Sequence, residues 1–374
     1  MFAALREARS GLRRNDFDTG TLETWIGRVD GLESEPVVSH LAEFDCRNNR
    51  LAQFGLRQDG FEQAVAEARR RYGARRIAVL IGTSTSGVHE TELAYRRRDR
   101  ATGALPADFN YRYSQNVFSV ADFVRRYLAL EGPAAAIATA CSSSAKVFAS
   151  AERLIEAGFA DAAVVGGVDS LCLTTLYGFA SLEVLARDPC RPCDATRDGI
   201  SIGEAAGFAL LERTGNATET VLLLGYGESS DGHHMSAPHP DGAGVHLAVT
   251  QALDRAGLAP DAIDYINLHG TATPANDRAE DKALHRIFGD RVPCSSTKGW
   301  TGHTLGAAGI TEAIISALCL RHSYVPGTLN TRMLDPSLKS RILLAGEQRP
   351  VKHVLSNSLG FGGNNCSLVL GTRA

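Results

Sequence analysis

Short apolar runs alternate with segments of helical periodicity along the whole chain, and this alternation restricts the possible folds more than any other feature. Apolar runs with the length of buried strands occupy residues 76–83, 161–170, 221–229, 264–271 and 353–363. Helical spacing of apolar residues occupies residues 61–72, 144–157, 245–256 and 307–320. Such alternation is typical of α/β proteins. Because no Pro- or Ser-rich linker separates the segments, we expect one compact unit.

The charge and the hydropathy of the chain argue against two classes of protein. The 374 residues carry a formal net charge of −3, so the chain lacks the global positive charge of a protein that coats nucleic acid. No apolar run approaches the roughly 18 residues of a membrane-spanning helix. The first residues, MFAALREARSGLRR, are interrupted by charges, unlike a secretory signal. We therefore expect a protein that binds neither a nucleic acid nor a membrane.

Eight cysteines are scattered along the chain, mostly in apolar surroundings, which is typical of a reduced, cytoplasmic protein. Two of them, Cys190 and Cys193, form the sequence CRPC and have the spacing of zinc ligands. A structural zinc site needs a second pair of ligands, and no matching pair follows. We therefore expect no metal at this segment.

Two segments about half the chain apart have the same pattern. AVLIGTSTSG (78–87) and YINLHGTATP (265–274) each combine an apolar strand with a Gly-Thr-x-Thr turn, and each is followed by a helical pattern. Gly-Thr turns after strands are common, so this repeat is weak evidence by itself. It predicts two similar halves, which we place at residues 1–218 and 219–374.

Cys141 lies where an apolar run meets a helical pattern, in the sequence AAAIATACSSSAKVF. Residues 134–140 are small and uncharged, as in a strand buried on both faces. A lone buried cysteine is more often a small core residue than a nucleophile. At the start of a helix, however, free backbone N–H groups and the helix dipole stabilise a thiolate. We therefore expect a lowered thiol pKa and a nucleophile at Cys141.

His269 and His303 occupy comparable positions, in glycine-flanked turns that follow strand-like segments. Either histidine alone is more often a hydrogen-bonded structural residue than a catalyst. The carboxyl ends of strands are where an α/β sheet presents groups to ligands, and Cys141 and the Gly-rich segment 356–365 share this placement. A cysteine protease would use only one of the histidines. The combination favours acyl transfer followed by chemistry on a carbanion.

Six segments, in order along the chain, resemble motifs of the β-ketoacyl-[acyl-carrier-protein] synthases with a Cys-His-His site, which belong to the thiolase superfamily. They are TACSSS, RPCDATRDGISIGEAAG, SSDGHHMSAP, HGTATPANDRAE, STKGWTGHTLGAAG and SNSLGFGGNN. GTSTSG and ACSSSAKVFASA resemble the aryl-polyene-type subgroup. The resemblance implies a thiolase-like α/β fold whose two halves form αβαβα layers. Family members normally have a glycine-rich strand before the segment that resembles REARSGL (6–12), so we expect a strand edge of the first half to be exposed.

The resemblance implies a decarboxylative condensation in fatty-acid or polyketide biosynthesis. Cys141 would take an acyl group from an acyl carrier protein, and a malonyl thioester would lose CO₂ to give an enolate stabilised by His269 and His303. Attack of the enolate on the acyl group would give a 3-oxoacyl thioester. The backbone N–H groups of Cys141 and Phe361 would form an oxyanion hole, and Phe361 would gate the site. No separate cofactor is implied, because the carrier protein holds the phosphopantetheine.

Further positions match the family by their place in the motifs. Lys298 and Glu280 match residues that form an ion pair beside the histidines. The remaining matches are expected to contact or support the substrate and its pantetheine arm: Thr271, Thr273, Asp277 and Gly362.

The family's acidic carrier protein and its dimeric state imply two surfaces. The arginines that we expect in a basic docking patch are Arg47, Arg50, Arg97 and Arg98. The dimer would be a homodimer or a heterodimer with a related synthase. Two alternatives stay open: a partner or scaffold subunit that only decarboxylates malonyl thioesters, and a degradative thiolase. The thiolase would need a second catalytic cysteine, and Cys366, directly after GGNN, is not in the place of that motif.

Overall fold

The computed structural model describes residues 1–214 and 221–372, and the expected boundary between residues 218 and 219 lies outside them. Residues 1–214 contain, in order, α1 (Phe2–Arg6), β1 (Leu12–Arg14), β2 (Trp25–Gly27), α2 (Arg47–Leu56), α3 (Phe61–Tyr72), β3 (Ile77–Gly82), α4 (Val88–Arg96), α5 (Ser119–Tyr127), β4 (Ala134–Ile137), α6 (Ser143–Glu156), β5 (Ala162–Asp169), α7 (Leu173–Ser181), β6 (Ile202–Gly203) and β7 (Ala205–Glu212). Residues 221–372 contain β8 (Val221–Ser230), α8 (Ala243–Ala256), β9 (Tyr265–Asn267), α9 (Pro274–Phe288), β10 (Pro293–Ser295), α10 (Lys298–Thr301), α11 (Ala308–His322), β11 (Tyr324–Val325), β12 (Arg341–Ile342), β13 (Glu347–Gln348), β14 (His353–Gly360) and β15 (Asn364–Thr372).

The two main sheets have the same strand order. In the first sheet the order is β4-β3-β5-β7, and in the second sheet the strands β10-β9-β14-β15 take the same places. In both sheets the second strand is parallel to its two neighbours, and the last of the four strands is antiparallel to the third. The repeated order gives the two similar halves that the Gly-Thr turns predict.

The sheets differ at their ends. In the second sheet β15 also pairs with β8, and β10 also pairs with β12. Within the described residues, β7 pairs only with β5, so the first sheet ends where its counterpart continues. Among the described residues, β7 therefore has one edge without a strand partner, as the resemblance to the family predicts for the first half.

Helices α6 and α11 lie between the two sheets. Both contact strands of the first and of the second sheet, and their side chains form the largest apolar cluster together with the inner faces of both sheets. A Cβ atom at Gly309 would lie only 2.4 Å from the backbone nitrogen of Ala145, so the two helices touch at backbone distance. Helices α2, α3 and α5 cover the outer face of the first sheet, and α8 and α9 cover that of the second. The result is the expected αβαβα arrangement.

Strand β4 differs from its prediction. Its four residues, Ala134–Ile137, are half-buried and not buried on both faces, because β4 is the edge strand of its sheet. Small uncharged side chains therefore occur at this edge as well as in the fully buried central strand β5, and they do not distinguish an edge from the sheet centre.

The helices of the described residues include none that is both long and apolar enough to span a membrane. The eight cysteines are all free thiols with buried side chains. Burial explains why so many cysteines lie in apolar surroundings, since a free cysteine packs as a small hydrophobic residue.

Candidate active site

Cys141 lies in a tight turn between β4 and α6, as the sequence predicts. Residues 140–142 form a single 3₁₀ turn, and Ala140 adopts a left-handed backbone conformation (φ 51°) that non-glycine residues rarely adopt. Hydroxyl groups hold the turn: the backbone N–H of Thr139 donates to Ser143 Oγ at 2.9 Å, and Ser142 Oγ donates to the Thr139 carbonyl at 2.9 Å. The serines after Cys141 thus fix the strained turn that presents its sulfur.

His303 reaches Cys141 from the other half of the molecule. Its Nε2 atom lies 3.0 Å from Cys141 Sγ. The backbone of His303 is fixed on both sides, because its N–H donates to the Ser201 carbonyl at 2.7 Å and its carbonyl accepts from Gly203 N–H at 2.9 Å. The segment GISIGEAAG therefore holds this histidine, which explains a motif that carries no reactive group of its own.

His269 completes the cluster from the end of β9. Its ring lies 5.2 Å from that of His303, nearly perpendicular at 83°. Reactive nitrogen and sulfur atoms of Cys141, His269 and His303 lie within 4.8 Å of one another. The three residues are only 5%, 2% and 3% exposed, respectively, so water has little access to the cluster. The structure thus brings together the three residues that the sequence singles out.

Lys298 and Glu280 both lie beside His269, but they do not pair with each other. Lys298 Nζ pairs with Glu312 Oε1 at 2.5 Å, donates to the His269 carbonyl, and lies 3.4 Å from His269 Nδ1. Glu280 instead accepts the backbone N–H groups of His269 at 2.8 Å and Gly270 at 2.9 Å. The expected Lys298–Glu280 ion pair is therefore wrong, because Glu280 is occupied by the backbone of the histidine turn.

The protonation states follow from burial. Burial lowers the pKa of His269 and of His303 well below 6.5, and the positive charge of Lys298 lowers both further, so both rings are neutral. Burial also raises the pKa of the Cys141 thiol to about 12, although the Lys298 charge and the Phe361 backbone N–H oppose this. The lowered thiol pKa expected from the helix start is therefore wrong, because loss of solvation outweighs the local donors.

Cys141, His269 and His303 are also the one group of three potential metal ligands found among the described residues. The Lys298 ammonium beside His269 Nδ1 opposes a cation in two ways. It adds a positive charge, and it needs Nδ1 as an acceptor, so the ring proton stays on Nε2, the atom that a metal would use. Cys190 and Cys193 belong to no such group in the described part of the chain, and Cys190 Sγ contacts the Lys298 carbonyl at 3.3 Å.

The Gly-rich turn after β14 faces Cys141. The backbone N–H of Phe361 lies toward Cys141 and opposes the rise in the pKa of its thiol. The Phe361 ring packs against Phe179 at 5.5 Å. Gly362 has a φ of 77°, and its N–H donates to the Met235 carbonyl at 2.7 Å. The donor facing the sulfur is therefore that of Phe361, while the N–H of Gly362 fixes the turn to a neighbouring loop.

Three predicted supporting residues lie around the start of α9. The hydroxyl oxygens of Thr271 and Thr273 are 3.0 Å apart. Asp277 accepts the backbone N–H of Cys193 at 2.9 Å and pairs with Arg197 at 3.2 Å. Asp277 therefore attaches the CRPC segment to the helix that follows His269.

The four predicted docking arginines have different environments. Arg47 is 6% exposed and pairs with Glu204 at 2.5 Å and Glu33 at 2.6 Å, so it is not available on the surface. Arg50 is partly buried and pairs with Asp45. The other two are exposed, namely Arg97, which pairs with Asp108, and Arg98.

Two buried carboxylates at the site were missed by the sequence analysis. Glu312 is the acidic residue within the otherwise apolar start of α11, a pattern that could have marked it. Asp169 ends β5 after the run VVGGV, and its carboxylate accepts hydrogen bonds from the turn after β3. A lone acidic residue within a buried apolar segment or at its end is the signal in both cases, because such a charge needs partners.

The chain is similar to proteins of one family over most of its length. It matches the models of the β-ketoacyl synthase N-terminal domain over residues 52–217 and of the β-ketoacyl synthase C-terminal domain over residues 221–332. It is 39% identical over 312 residues to 3-oxoacyl-[acyl-carrier-protein] synthase 2 of Rhizobium meliloti, covering 78% of this chain and 73% of the relative. It is 32% identical to the protein of the same name from Staphylococcus aureus, covering 92% and 90%.

Solved structures that are similar to this chain are ketosynthases as well. A ketosynthase in complex with its chain length factor from Xenorhabdus doucetiae is 42% identical, with a TM-score of 0.90, and the match covers 99% of this chain and 93% of that one. The ishigamide ketosynthase/chain length factor is 28% identical, with a TM-score of 0.87, and the match covers 100% and 94%.

Proposed function

The chain belongs to the β-ketoacyl synthase family, and we propose that it condenses an acyl group held on Cys141 with a malonyl unit carried by an acyl carrier protein. It is an acyltransferase of the condensing type, like its relatives named 3-oxoacyl-[acyl-carrier-protein] synthase. The observation that carries the assignment of roles is the meeting of one thiol and two neutral imidazoles in a buried site.

In the first step, Cys141 Sγ attacks the acyl thioester. A carbon–sulfur bond forms to Cys141, the bond to the pantetheine sulfur breaks, and the thiol proton passes to the departing sulfur. His303 Nε2, at 3.0 Å, can relay this proton because its ring is neutral. The backbone N–H of Phe361 supports the developing negative charge on the acyl oxygen.

In the second step, the malonyl thioester loses CO₂ and leaves an enolate. Lys298 donates toward Nδ1 of His269, which keeps the ring proton on Nε2 and makes this atom a permanent donor to the enolate oxygen. Nδ1 of His303 has no hydrogen-bond partner among the described residues, so the ring proton of His303 can lie on either Nδ1 or Nε2. The two histidines therefore differ: one is fixed as a donor, and the other can accept a proton from Cys141 and later donate.

In the third step, the enolate carbon attacks the carbonyl carbon of the acyl group on Cys141. A carbon–carbon bond forms, the carbon–sulfur bond breaks, and Cys141 leaves as a thiolate. This thiolate takes up one proton, which comes from solvent, and returns to the thiol of the starting state. Exclusion of water supports this step, since a protonated enolate could no longer attack. Because the phosphopantetheine stays attached to the carrier, we propose that the reaction needs no further cofactor.

For carrier docking, we retain Arg97 and Arg98. Both are exposed on a segment with four arginines in five residues, RRRDR, and an acidic partner would complement such a patch. Arg47 is excluded by its burial between Glu204 and Glu33. A charge reversal at Arg97 and Arg98 is expected to raise the KM for the carrier-bound substrate and to leave the rate with a short pantetheine thioester unchanged.

For the partner subunit, we propose a heterodimer with a related synthase chain in polyketide or aryl-polyene-type biosynthesis. The support is the 42% identity to a ketosynthase whose structure contains its chain length factor. The outer edge of β4 has no strand partner within the described residues, and its half-buried Ala134–Ile137 segment is uncharged, as an edge that pairs with another chain would be. Sedimentation alone and with a co-expressed related chain distinguishes homodimer from heterodimer.

The alternative functions fit the site less well. A partner subunit with only decarboxylase activity has no use for a thiol 3.0 Å from a catalytic histidine. A degradative thiolase needs a second cysteine at the site, whereas Cys366 is buried within β15 opposite Ser358.

The test is formation of a 3-oxoacyl product from acyl- and malonyl-carrier thioesters. We expect the wild-type chain and Cys319→Ser, a buried cysteine of α11, to form it, and Cys141→Ser to form none. Product formation by Cys141→Ser at the wild-type rate would refute the assignment of the nucleophile.

A further inference from the structure

Asp169, the last residue of β5, is a fully buried carboxylate without an ion-pair partner among the described residues. Its Oδ1 atom accepts hydrogen bonds from Thr83 Oγ1 at 2.7 Å, from the backbone N–H groups of Ser84 at 2.8 Å and Thr85 at 3.0 Å, and from Thr85 Oγ1 at 3.0 Å. Its Oδ2 atom accepts from Ser84 Oγ and from the backbone N–H of Gly306 at 2.6 Å. Hydroxyls and backbone groups therefore compensate the charge in place of a cation.

These partners belong to two different halves of the molecule. Thr83, Ser84 and Thr85 form the turn after β3, whereas Gly306 lies in the 3₁₀ turn 305–307 that leads into α11. Gly306 follows His303 by three residues. A Cβ atom at position 306 would lie 2.7 Å from Asp169 Oδ2 and 2.7 Å from the Ser84 nitrogen. The carboxylate and the turn it holds are thus in direct contact, with no room for a side chain.

The other histidine is held in an analogous way. Glu280 accepts the backbone N–H groups of His269 and Gly270, so a buried carboxylate fixes that turn as well. One carboxylate from each half, Asp169 from the first and Glu280 from the second, therefore fixes the backbone of one histidine turn. Because His303 Nε2 lies 3.0 Å from Cys141 Sγ, a small shift of residues 303–306 would change the contact used for proton transfer in the first step and would displace the ring that faces the enolate in the second.

We propose that Asp169 is a positioning residue that holds the His303 turn of one half against the β3 turn of the other and so sets the contact between His303 and Cys141. The expected effect of Asp169 on turnover rests on the proposed function, whereas its expected effect on the protonation of the Cys141 thiol does not. The negative charge of Asp169 also acts on the sulfur, where it favours the protonated thiol, as does Glu312, while Lys298 acts in the opposite direction.

Asp169→Asn tests the proposal with a side chain of the same shape. An amide has a single acceptor oxygen, so it cannot serve both the β3 turn and Gly306 N–H, and it carries no charge. We expect malonyl decarboxylation to fall by about tenfold to a hundredfold, in line with the cost of misplaced reacting groups. We also expect the pH profile of Cys141 alkylation by iodoacetamide, read by intact mass without substrate, to shift to lower pH.

Asp194→Asn is the matched control. Asp194 is also buried and accepts backbone N–H groups, from Thr196, Arg332 and Met333, but it does not touch the histidine turns. We expect it to lower the melting temperature and to leave the alkylation profile of Cys141 unchanged.

Gly306→Ala serves as a second variant, because it keeps Asp169 and displaces the turn by steric contact. We expect it to slow decarboxylation without shifting the alkylation profile. The proposal is overturned if folded Asp169→Asn keeps the wild-type profile and the wild-type decarboxylation rate, or if Asp194→Asn shifts the profile equally. If Asp169→Asn does not fold, a wild-type decarboxylation rate in Gly306→Ala overturns it. If the wild-type chain formed no condensation product, the proposed function would fail. The malonyl decarboxylation rates of Asp169→Asn and Gly306→Ala would still test the positioning role, and the alkylation profile would still test the effect of the Asp169 charge on Cys141.

Discussion

Replacement of Lys298 by Met separates the catalytic role of this buried ammonium from its structural role. In the wild-type chain Lys298 pairs with Glu312 at 2.5 Å and lies 3.4 Å from His269 Nδ1. The methionine has a similar length but neither charge nor donor. His269 would lose the group that keeps its proton on Nε2, and the enolate would lose a nearby positive charge.

The expected loss of rate follows from Coulomb's law. An enolate oxygen bonded to His269 Nε2 would lie about 8 Å from the ammonium, and a unit charge at that distance contributes about 2 kcal/mol at an effective dielectric constant of ~20. Glu312 offsets part of this attraction, while the loss of a fixed tautomer adds to the effect. We therefore expect Lys298→Met to decarboxylate malonyl thioesters about tenfold to thirtyfold more slowly.

The expected loss of stability has a different origin. Removal of one partner of a buried ion pair typically costs about 3–5 kcal/mol of unfolding free energy, because the remaining charge is uncompensated. Burial raises the pKa of Glu312 to about 7, so protonation of this carboxyl relieves part of the cost below that pH. The double variant Lys298→Met/Glu312→Gln has no unpaired carboxylate and should regain most of the stability without regaining the rate.

The assay measures CO₂ release from malonyl thioester, with urea denaturation of the same samples. Lys352→Met, at an exposed lysine, controls for the substitution itself and should change neither quantity. Wild-type CO₂ release by the folded double variant would refute the role of Lys298 in fixing His269.

Three further predictions test other parts of the structure. The raised pKa of Glu312 means that the folded state binds its proton more tightly than the unfolded state, so the contribution of Glu312 to the unfolding free energy should fall by up to about 3 kcal/mol as the pH rises from about 4.5 to 7. The lowered pKa values of His269 and His303 act in the opposite direction, so the contribution of Glu312 is read as the difference between the wild-type chain and the double variant. An equal pH dependence of the unfolding free energy in the wild-type chain and the double variant, measured by urea denaturation, would contradict this origin. Arg47→Ala should lose about 3–5 kcal/mol, since Glu204 would stay buried without its partner, whereas Arg97→Ala should lose less than about 1 kcal/mol. Equal chemical denaturation midpoints for these two variants would count against the burial of Arg47. His303→Ala should form the acyl adduct on Cys141, but more slowly, because Nε2 no longer faces the sulfur, and it should release no CO₂. Intact mass measures the adduct and a CO₂ assay measures decarboxylation. Release of CO₂ at the wild-type rate would show that His303 is dispensable for decarboxylation.

The sequence was most informative where local pattern and chemistry coincide. Helix α3 spans residues 61–72, as its apolar spacing predicts, and the turns that carry Cys141, His269 and His303 lie at strand ends or helix starts as expected. The prediction that Cys141, His269 and His303 meet in one site followed from the similarity of the two halves, because equivalent strand ends of two similar sheets face the layer between them. Short-range pattern was enough for these residues because each lies directly beside the strand or helix that positions it.

The residues that were misassigned depend on contacts distant in sequence. The partner of Lys298 was wrong because Glu280 is engaged by backbone N–H groups, which no side-chain pattern reveals. Arg47 lies in an arginine-containing segment that reads as exposed, yet Glu204, 157 positions along the chain, holds it in the interior. The pKa of Cys141 was predicted in the wrong direction because the helix start can be read from sequence, whereas the depth of burial cannot.

The central claim is that one site from two halves both holds the acyl group and generates the enolate. A single-turnover experiment tests it most directly: the chain is loaded with an acyl group, freed of excess substrate, and mixed with malonyl carrier thioester. We predict that the adduct leaves the peptide containing Cys141 at the rate at which CO₂ appears, one for one, and that the acyl group is recovered in the 3-oxoacyl product. Release of CO₂ while the adduct persists, or loss of the adduct as free acid, would contradict the account.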